Sequence, residues 1–249
     1  MLKEIRQHIP NFITLLNLFS GCIAIVISFT NIQIAALFII IAAVFDYADG
    51  LSARLLKAYS DIGKSLDSLA DIVSFGVAPS IIVYQLLTQT FLQETHYFTL
   101  DTASPGELRT LFSAFLIAVF SAIRLSLFSV DYRQSYEFMG LPTPASGIFI
   151  ASLGYYSAVA ENDLVLSIIF SVPVLITIVV ILSALMVSPL PMFSLKFKNF
   201  SFAENRIRYI FSAISAVLLL LWNIPALTLV IFSYIMLSGL SKWISPGEK

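Results

Sequence analysis

Residues 33–55 read QIAALFIIIAAVFDYADGLSARL. As a helix at 1.5 Å per residue this stretch is about 35 Å long, enough to cross a ~30 Å hydrocarbon core. Its first half is apolar on every face, so no side of it is built for water. Its second half carries Asp46, Asp49 and Arg54. An Asp at the centre of a membrane helix costs about 2.5–3.5 kcal/mol, so such residues mark function. The stretch therefore reads as a membrane-spanning helix that ends in a pair of carboxylates.

The rest of the chain agrees. Of 249 residues, 58% are hydrophobic and 12% charged, 21 are Phe, and mean hydropathy is +0.91. Soluble domains carry about 25% charge, and disordered chains are polar, so both classes are excluded. A net charge of −1 gives no basic excess for nucleic acid. Cys22 is the single cysteine, so there is no internal disulfide. With only His8 and His96 beside it, a Cys/His zinc site has no ligand set.

Eight stretches have the length and apolarity of spans: about 10–29, 33–55, 66–89, 107–130, 143–161, 163–187, 206–222 and 224–243. They are too long and continuous for barrel strands. The first has a basic start but no clear small-residue cleavage site, so it is expected to stay as a span. The expected fold is all-α: a polytopic integral membrane helix bundle of about eight transmembrane helices, in one membrane domain over 1–249. A six-helix core occupies 10–190, and two additional spans occupy 206–243. With both termini cytoplasmic, every Lys and Arg except Arg109 falls on the inner side, as the positive-inside rule requires.

Spans two and three together carry Asp46, Asp49, Asp67 and Asp71. The first pair is spaced i,i+3 and the second i,i+4, so each pair shares a helix face. A short link near 59–64 makes the two helices antiparallel neighbours, with both pairs near the cytoplasmic boundary. Four close carboxylates repel unless cations neutralise them. Oxygen ligands without His or Cys select Mg²⁺, Mn²⁺ or Ca²⁺. Metal-assisted phosphoryl chemistry is one outcome, with two metals as one form of it. A cation pathway in a transporter and a structural Asp–Arg pairing are the others.

The surrounding residues form the pattern D-x2-D-G-x2-A-R-x8-G-x3-D-x3-D, from Asp46 to Asp71. Gly50 leaves room for a ligand near the backbone, and Ala53 keeps the same wall low. Arg54 offers a guanidinium fork to a phosphate. Gly63, four residues before Asp67, opens space beside the metal. Close helix packing is the plain alternative for Gly50 and Ala53. Eight fixed positions at roughly one in twenty each leave chance negligible.

The pattern resembles the signature of the CDP-alcohol phosphotransferase family. The resemblance implies that Asp46, Asp49, Asp67 and Asp71 hold two divalent cations, and that Asp71 is also the general base on the acceptor hydroxyl. It implies CDP-lipid contacts for Gly50, Ala53, Arg54, Gly63 and Lys64. Pro10-Asn11-Phe-Ile-Thr14-Leu-Leu-Asn17 sets Asn11, Thr14 and Asn17 on one stripe of the first span. The resemblance assigns them to the nucleotide. An Asn11 N-cap with interhelical hydrogen bonds from the other two is the alternative.

The acceptor is read from other segments. Arg124-Leu125-Ser126-Leu127-Phe128, then Phe138-Met-Gly140-Leu141-Pro142-Thr-Pro144-Ala145, then Leu185-Met-Val-Ser188, resemble membrane-integral phosphatidylserine synthases within that family. The group's R-L-A-R-F-N has Leu127 and Ser129 here in place of its second Arg and its Asn. The resemblance implies CDP-diacylglycerol and L-serine as substrates, with Arg124 and Pro142 at the acceptor. It also implies a homodimer in a bacterial inner membrane, with the site on the cytoplasmic side. Inositol phosphate and glycerol phosphate stand as alternative acceptors. Pro142 and Pro144 start the fifth span. Lys196, Lys198, Arg206 and Arg208 form a basic patch suited to anionic lipid.

Overall fold

Asn31 and Ser60 set the two turns on which the site is built. The computed structural model describes residues 2–95, 99–130, 138–161, 163–193, 201 and 205–244. Side chains are described over 8–92, 99–128, 139–161, 164–193, 201 and 205–240. His96, Arg133, Lys196, Lys198 and Lys249 lie outside the described residues, as do the side chains of Lys3, Arg6, Ser129 and Lys242.

Helix α1 (Leu2–Ser28) returns into α2 (Ile32–Leu56) at Asn31, whose side chain accepts from the Ile34 N–H at 2.9 Å. Helix α2 stops at Lys57, held left-handed at φ 52°, with its N–H turned back to the Ala53 and Arg54 carbonyls. Ser60 then caps α3 (Asp61–Asp71) by accepting from the Gly63 N–H at 3.0 Å. The chain continues through a π-helical turn, Ile72–Val77, into α4 (Ala78–Thr95). Helices α5 (Pro105–Ser113), α6 (Leu116–Val130), α7 (Thr143–Val159), α8 (Asp163–Ile169) and α9 (Val172–Val187) follow. Helices α10 (Arg206–Trp222) and α11 (Ala226–Ile244) complete the order. Two two-residue strands, β1 (Phe138–Met139) and β2 (Pro191–Met192), pair antiparallel and are the departure from helix among the described residues.

Small residues bring the helices together, as in membrane bundles generally. Ala35, Ala36 and Ala42 of α2 are buried where it meets α1 and α7. A Cβ at Gly147 would sit 3.0 Å from the Phe75 Cα, and one at Gly154 only 2.7 Å from Ile82 Cγ2. Both contacts are offset by the same number of positions, so α7 runs parallel to the π-helical turn and α4 in fixed register. The outer surface is inverted relative to a water-soluble protein. Phe19, Val26 and Leu220 are 62%, 72% and 84% exposed. An apolar surface of this extent requires a lipid environment.

Among the described residues, four helical stretches are long and apolar enough to cross a membrane: His8–Ser28, Ile32–Leu56, Asp61–Leu92 and Pro105–Phe128. Val172–Val187 and Ala226–Leu240 are apolar but shorter. This is an all-helical architecture consistent with a membrane helix bundle. Two expected spans carry a local break in regular helix, the first of them within the crossing segment Pro105–Phe128. Stretch 107–130 is divided by a tight turn at Ala114–Phe115. Stretch 163–187 is divided at Phe170–Ser171, because Pro173 lacks an N–H and Thr90 Oγ1 donates to the Phe170 carbonyl at 2.9 Å. The N-cap alternative for Asn11 is overturned: α1 begins at Leu2 and runs through Pro10, so Asn11 is interior.

Gly21 faces the π-helical turn. An added Cβ would lie 2.5 Å from Ser74 Oγ and 2.8 Å from Ser74 Cα. A backbone atom cannot swing aside, so Gly21→Ala must push α1 off the turn. The expected cost is about 1–3 kcal/mol, read as a lower melting temperature in detergent. An unchanged melting temperature would contradict this packing.

Candidate functional site

The last turns of α2 present Asp46 and Asp49, and α3 presents Asp67 from the other side. One carboxylate oxygen from each lies within 4.8 Å of the others. Helix α3 rests mainly on α1 rather than on α2, so the carboxylates meet across a gap instead of within a packed seam. Asp67 Oδ1 is buried and has no hydrogen-bond partner. An anionic oxygen in that state calls for a cation. The set is all oxygen, so the residues present fit a hard divalent ion.

The stripe on α1 serves these acids one by one. Thr14 Oγ1 donates to Asp49 Oδ2 at 2.6 Å, with the Pro10 carbonyl its alternative acceptor at 3.0 Å. Asn17 Nδ2 donates to Asp71 Oδ1 at 3.2 Å. The Ser74 hydroxyl donates to the Asn17 carbonyl at 3.0 Å and ties the π-helical turn to α1. Asn11 does not touch an acid. Its Oδ1 fills the space beside Gly63, 2.9 Å from where a Cβ would stand. The room made by Gly63 is therefore taken by α1.

Asp71 lies outside the closest triad but within electrostatic reach of Asp46, Asp67 and Asp49. It is buried, accepts from Asn17 and is in range of Arg124. The four aspartates thus form one cluster in which Asp46, Asp49 and Asp67 converge most closely.

A cleft of about 510 Å³ opens beside the triad. Asn11, Thr14, Asp49, Gly50, Ala53, Arg54, Gly63, Lys64 and Asp67 all line it, but Asn17 does not. A Cβ at Gly50 would meet only Arg54 Nη2, at 3.7 Å, so the wall is open there. Arg54 and Lys64 are exposed. Sequence reasoning did not assign Pro10, Ala58, Tyr59, Ser60 and Asp61 to the site, although they also line the cleft. Four of them fall in the eight-residue spacer between Arg54 and Gly63. A fixed spacer length was the available signal, since a turn of one length sets the facing walls.

The acceptor candidates lie elsewhere. Arg124 on α6 is buried, its Nε has no partner, and it is in electrostatic range of Asp71 and Tyr234. Pro142 is the half-buried N-cap of α7, with Pro144 in the first turn. Its loop docks on the end of α9: the Gly140 N–H donates to the Leu190 carbonyl and the Leu141 N–H to the Leu185 carbonyl, each at 2.9 Å. Gly140 has φ +73°, and a Cβ would fall 2.5 Å from the Met186 carbonyl oxygen, so only glycine fits. Of the basic patch, Arg206 and Arg208 are seen at the start of α10, where Arg208 Nη1 donates to Asn205 Oδ1 at 2.9 Å.

Comparison with known proteins agrees with this geometry. Residues 7–179 match the CDP-alcohol phosphatidyltransferase family model. The chain is 33% identical over 150 residues to the CDP-diacylglycerol–serine O-phosphatidyltransferase of Bacillus subtilis, covering 60% of this chain and 76% of that protein. It is 33% identical over 144 residues to the Helicobacter pylori protein of the same name, covering 57% of this chain and 54% of that one. It is also 29% identical over 174 residues to the archaetidylserine synthase of Methanothermobacter thermautotrophicus, covering 67% and 68%. With Asp46, Asp49 and Asp67 converging beside an open cleft, and with the family match running through all of them, the chain belongs to the CDP-alcohol phosphatidyltransferase family.

Proposed function

We propose that this chain transfers the phosphatidyl group of CDP-diacylglycerol to L-serine, releasing CMP. The observation that carries the reading is three carboxylates converging at the edge of a cleft with an open floor at Gly50 and two exposed cations at its rim. The names of the relatives support serine as acceptor.

In this reading Asp46, Asp49 and Asp67, with Asp71 nearby, hold one or two Mg²⁺ or Mn²⁺ ions. A bound divalent ion supplies charge stabilisation for the phosphoryl group and for the CMP leaving group. Thr14 fixes one Asp49 oxygen and leaves the other free to ligate. Arg54 and Lys64 bind phosphate oxygens, and Gly50 and Ala53 pass the nucleotide. Asp71 takes the serine hydroxyl proton, and the oxygen attacks the lipid-linked phosphorus directly. Asn17 occupies Asp71 Oδ1, so Oδ2 is the oxygen left for that proton. Arg124 receives the serine carboxylate, and Pro142 places the loop beside it. Leu127, one of the two departures from the serine-type pattern, is 54% exposed, whereas Arg124 is buried.

The membrane frame belongs to the same proposal. Eight spans with both termini cytoplasmic put the carboxylates on the cytoplasmic side of a bacterial inner membrane. Residues 10–190 form the catalytic core, 206–243 add two spans, and the protein works as a homodimer. The apolar helices α7 to α11 and the placement of Lys and Arg support the spans and their orientation, and the homodimer is carried over from the family resemblance.

Gly50→Leu is the sharpest test of the cleft. The helix accepts a side chain at this position, so the melting temperature should hold. The KM for CDP-diacylglycerol should rise on the order of 10- to 100-fold because the ligand is displaced. An unchanged KM would remove the nucleotide from this wall. The acceptor is tested by CMP release with serine, glycerol phosphate and inositol phosphate in turn. Serine should stimulate release. Stimulation by a phosphorylated acceptor alone would overturn serine and leave the family membership intact.

A further inference from the structure

Three buried polar atoms on the helices packed around the π-helical turn after Asp71 have no partner: Asn17 Oδ1, Arg124 Nε and Thr143 Oγ1. Asn17 and Thr143 are 0% exposed and Arg124 is 8% exposed. Unpartnered buried groups are rare in folded proteins and each calls for an explanation. Packing places all three around that turn. Asn17 bonds Asp71 directly. Gly147 meets Phe75 and Gly154 meets Ile82 in a parallel register, which sets Thr143 at the end of the π-helical turn that follows Asp71. Thr143 is also one turn before Gly147 and shares its face. On α6, Ser121 and Ala118 meet Gly76, and Ser80 Oγ accepts from the Ala118 N–H at 3.2 Å. That antiparallel register brings Arg124 to the same level.

The donors and acceptors in this layer are sorted by charge preference. Arg124 offers only donors and suits a carboxylate. Asn17 Oδ1 is an acceptor, and Thr143 Oγ1 can accept as well, at the N-terminal turn of α7. Two acceptors beside a cation and a base have the complementarity of a zwitterion, with a hydroxyl on the side of Asp71. A phosphorylated acceptor would bring two negative charges to a layer holding one cation.

We propose that Asn17 and Thr143 form the ammonium half of the amino-acid subsite, and that Asn17 belongs to the acceptor rather than to the nucleotide. The inference rests on serine being the acceptor. Thr143 is a specificity-determining residue in this scheme. Its hydroxyl has no structural partner, so Thr143→Val removes no hydrogen bond from the fold.

The test compares L-serine with 3-hydroxypropionate, which keeps the hydroxyl and the carboxylate and lacks the ammonium. CMP release from CDP-diacylglycerol by the full chain is read for wild type and Thr143→Val. The variant should raise the KM for serine on the order of 10-fold, the size of one hydrogen bond to a charged group. It should leave the KM for 3-hydroxypropionate and for CDP-diacylglycerol unchanged. Equal losses for both acceptors, or no loss for either, would overturn the subsite. A wild-type chain whose CMP release ignores serine would overturn the acceptor reading itself, and this proposal with it.

Discussion

Asp71→Asn is expected to lower kcat by about 10²–10⁴-fold, the usual contribution of a positioned general base. The amide keeps the shape of the carboxyl but cannot take a proton from the acceptor. Asp71 lies outside the group of Asp46, Asp49 and Asp67, so the triad keeps its three oxygens. Cation binding and CDP-lipid affinity should therefore remain close to wild type. The amide sits against Asn17 as the carboxylate did, so the loss should appear in turnover and not in the melting temperature. Single-turnover kinetics with a separate measurement of CDP-lipid binding distinguishes the two. Near-normal turnover would end the assignment of Asp71 as base.

Asp67→Asn tests the other half of the chemistry. Asp67 Oδ1 has no hydrogen-bond partner, so the substitution breaks no bond there in the fold. It removes one of three mutually repelling charges, and the cation-free protein should melt at the same temperature or higher. The wild type should gain stability from Mg²⁺ or Mn²⁺ as the logarithm of concentration over Kd. At a hundredfold excess over Kd the gain is about 2.7 kcal/mol, on the order of 5–10 °C for a chain of this size. Asp67→Asn should lose most of that gain and on the order of 10²–10³-fold in turnover. Metal-dependent stabilisation that survives the substitution would contradict the triad as the cation site.

The site was more legible than the fold's details. Asp46, Asp49, Gly50, Ala53 and Arg54 fall within three turns of one helix, so their relative placement follows from helical spacing alone. Asp67 joins them because the turn from Lys57 to Ser60 has a fixed length. That Asp67 joins the closest triad and Asp71 lies outside it was not legible. It depends on how α3 sits against α1, and on the Asn17 and Ser74 bonds that hold it there. The π-helical turn after Asp71 was also missed. Its sequence, IVSFGV, is compatible with an ordinary helix, and the wider turn is selected by packing of Gly21, Ser121 and Gly147 around it.

Two motifs that looked separate in the chain prove to be one joint. Gly140-Leu141 and Leu185–Ser188 meet at the end of α9, where the left-handed Gly140 lies against three carbonyls. Long-range pairing of this kind leaves no periodic trace in either segment. The break in stretch 163–187 was missed for a related reason. Hydropathy reports apolar length, whereas the break at Phe170 depends on Thr90 from another helix.

Phosphatidyl transfer to serine at the carboxylate site is measured by the incorporation of isotope-labelled L-serine into lipid by the detergent-purified chain supplied with CDP-diacylglycerol. Labelled phosphatidylserine and CMP should form in equal amounts, only with Mg²⁺ or Mn²⁺ present, and neither product should form with Asp71→Asn above a trace. Labelled lipid formed in the presence of a chelator, or CMP released without labelled lipid, would contradict metal-assisted transfer to serine at this site.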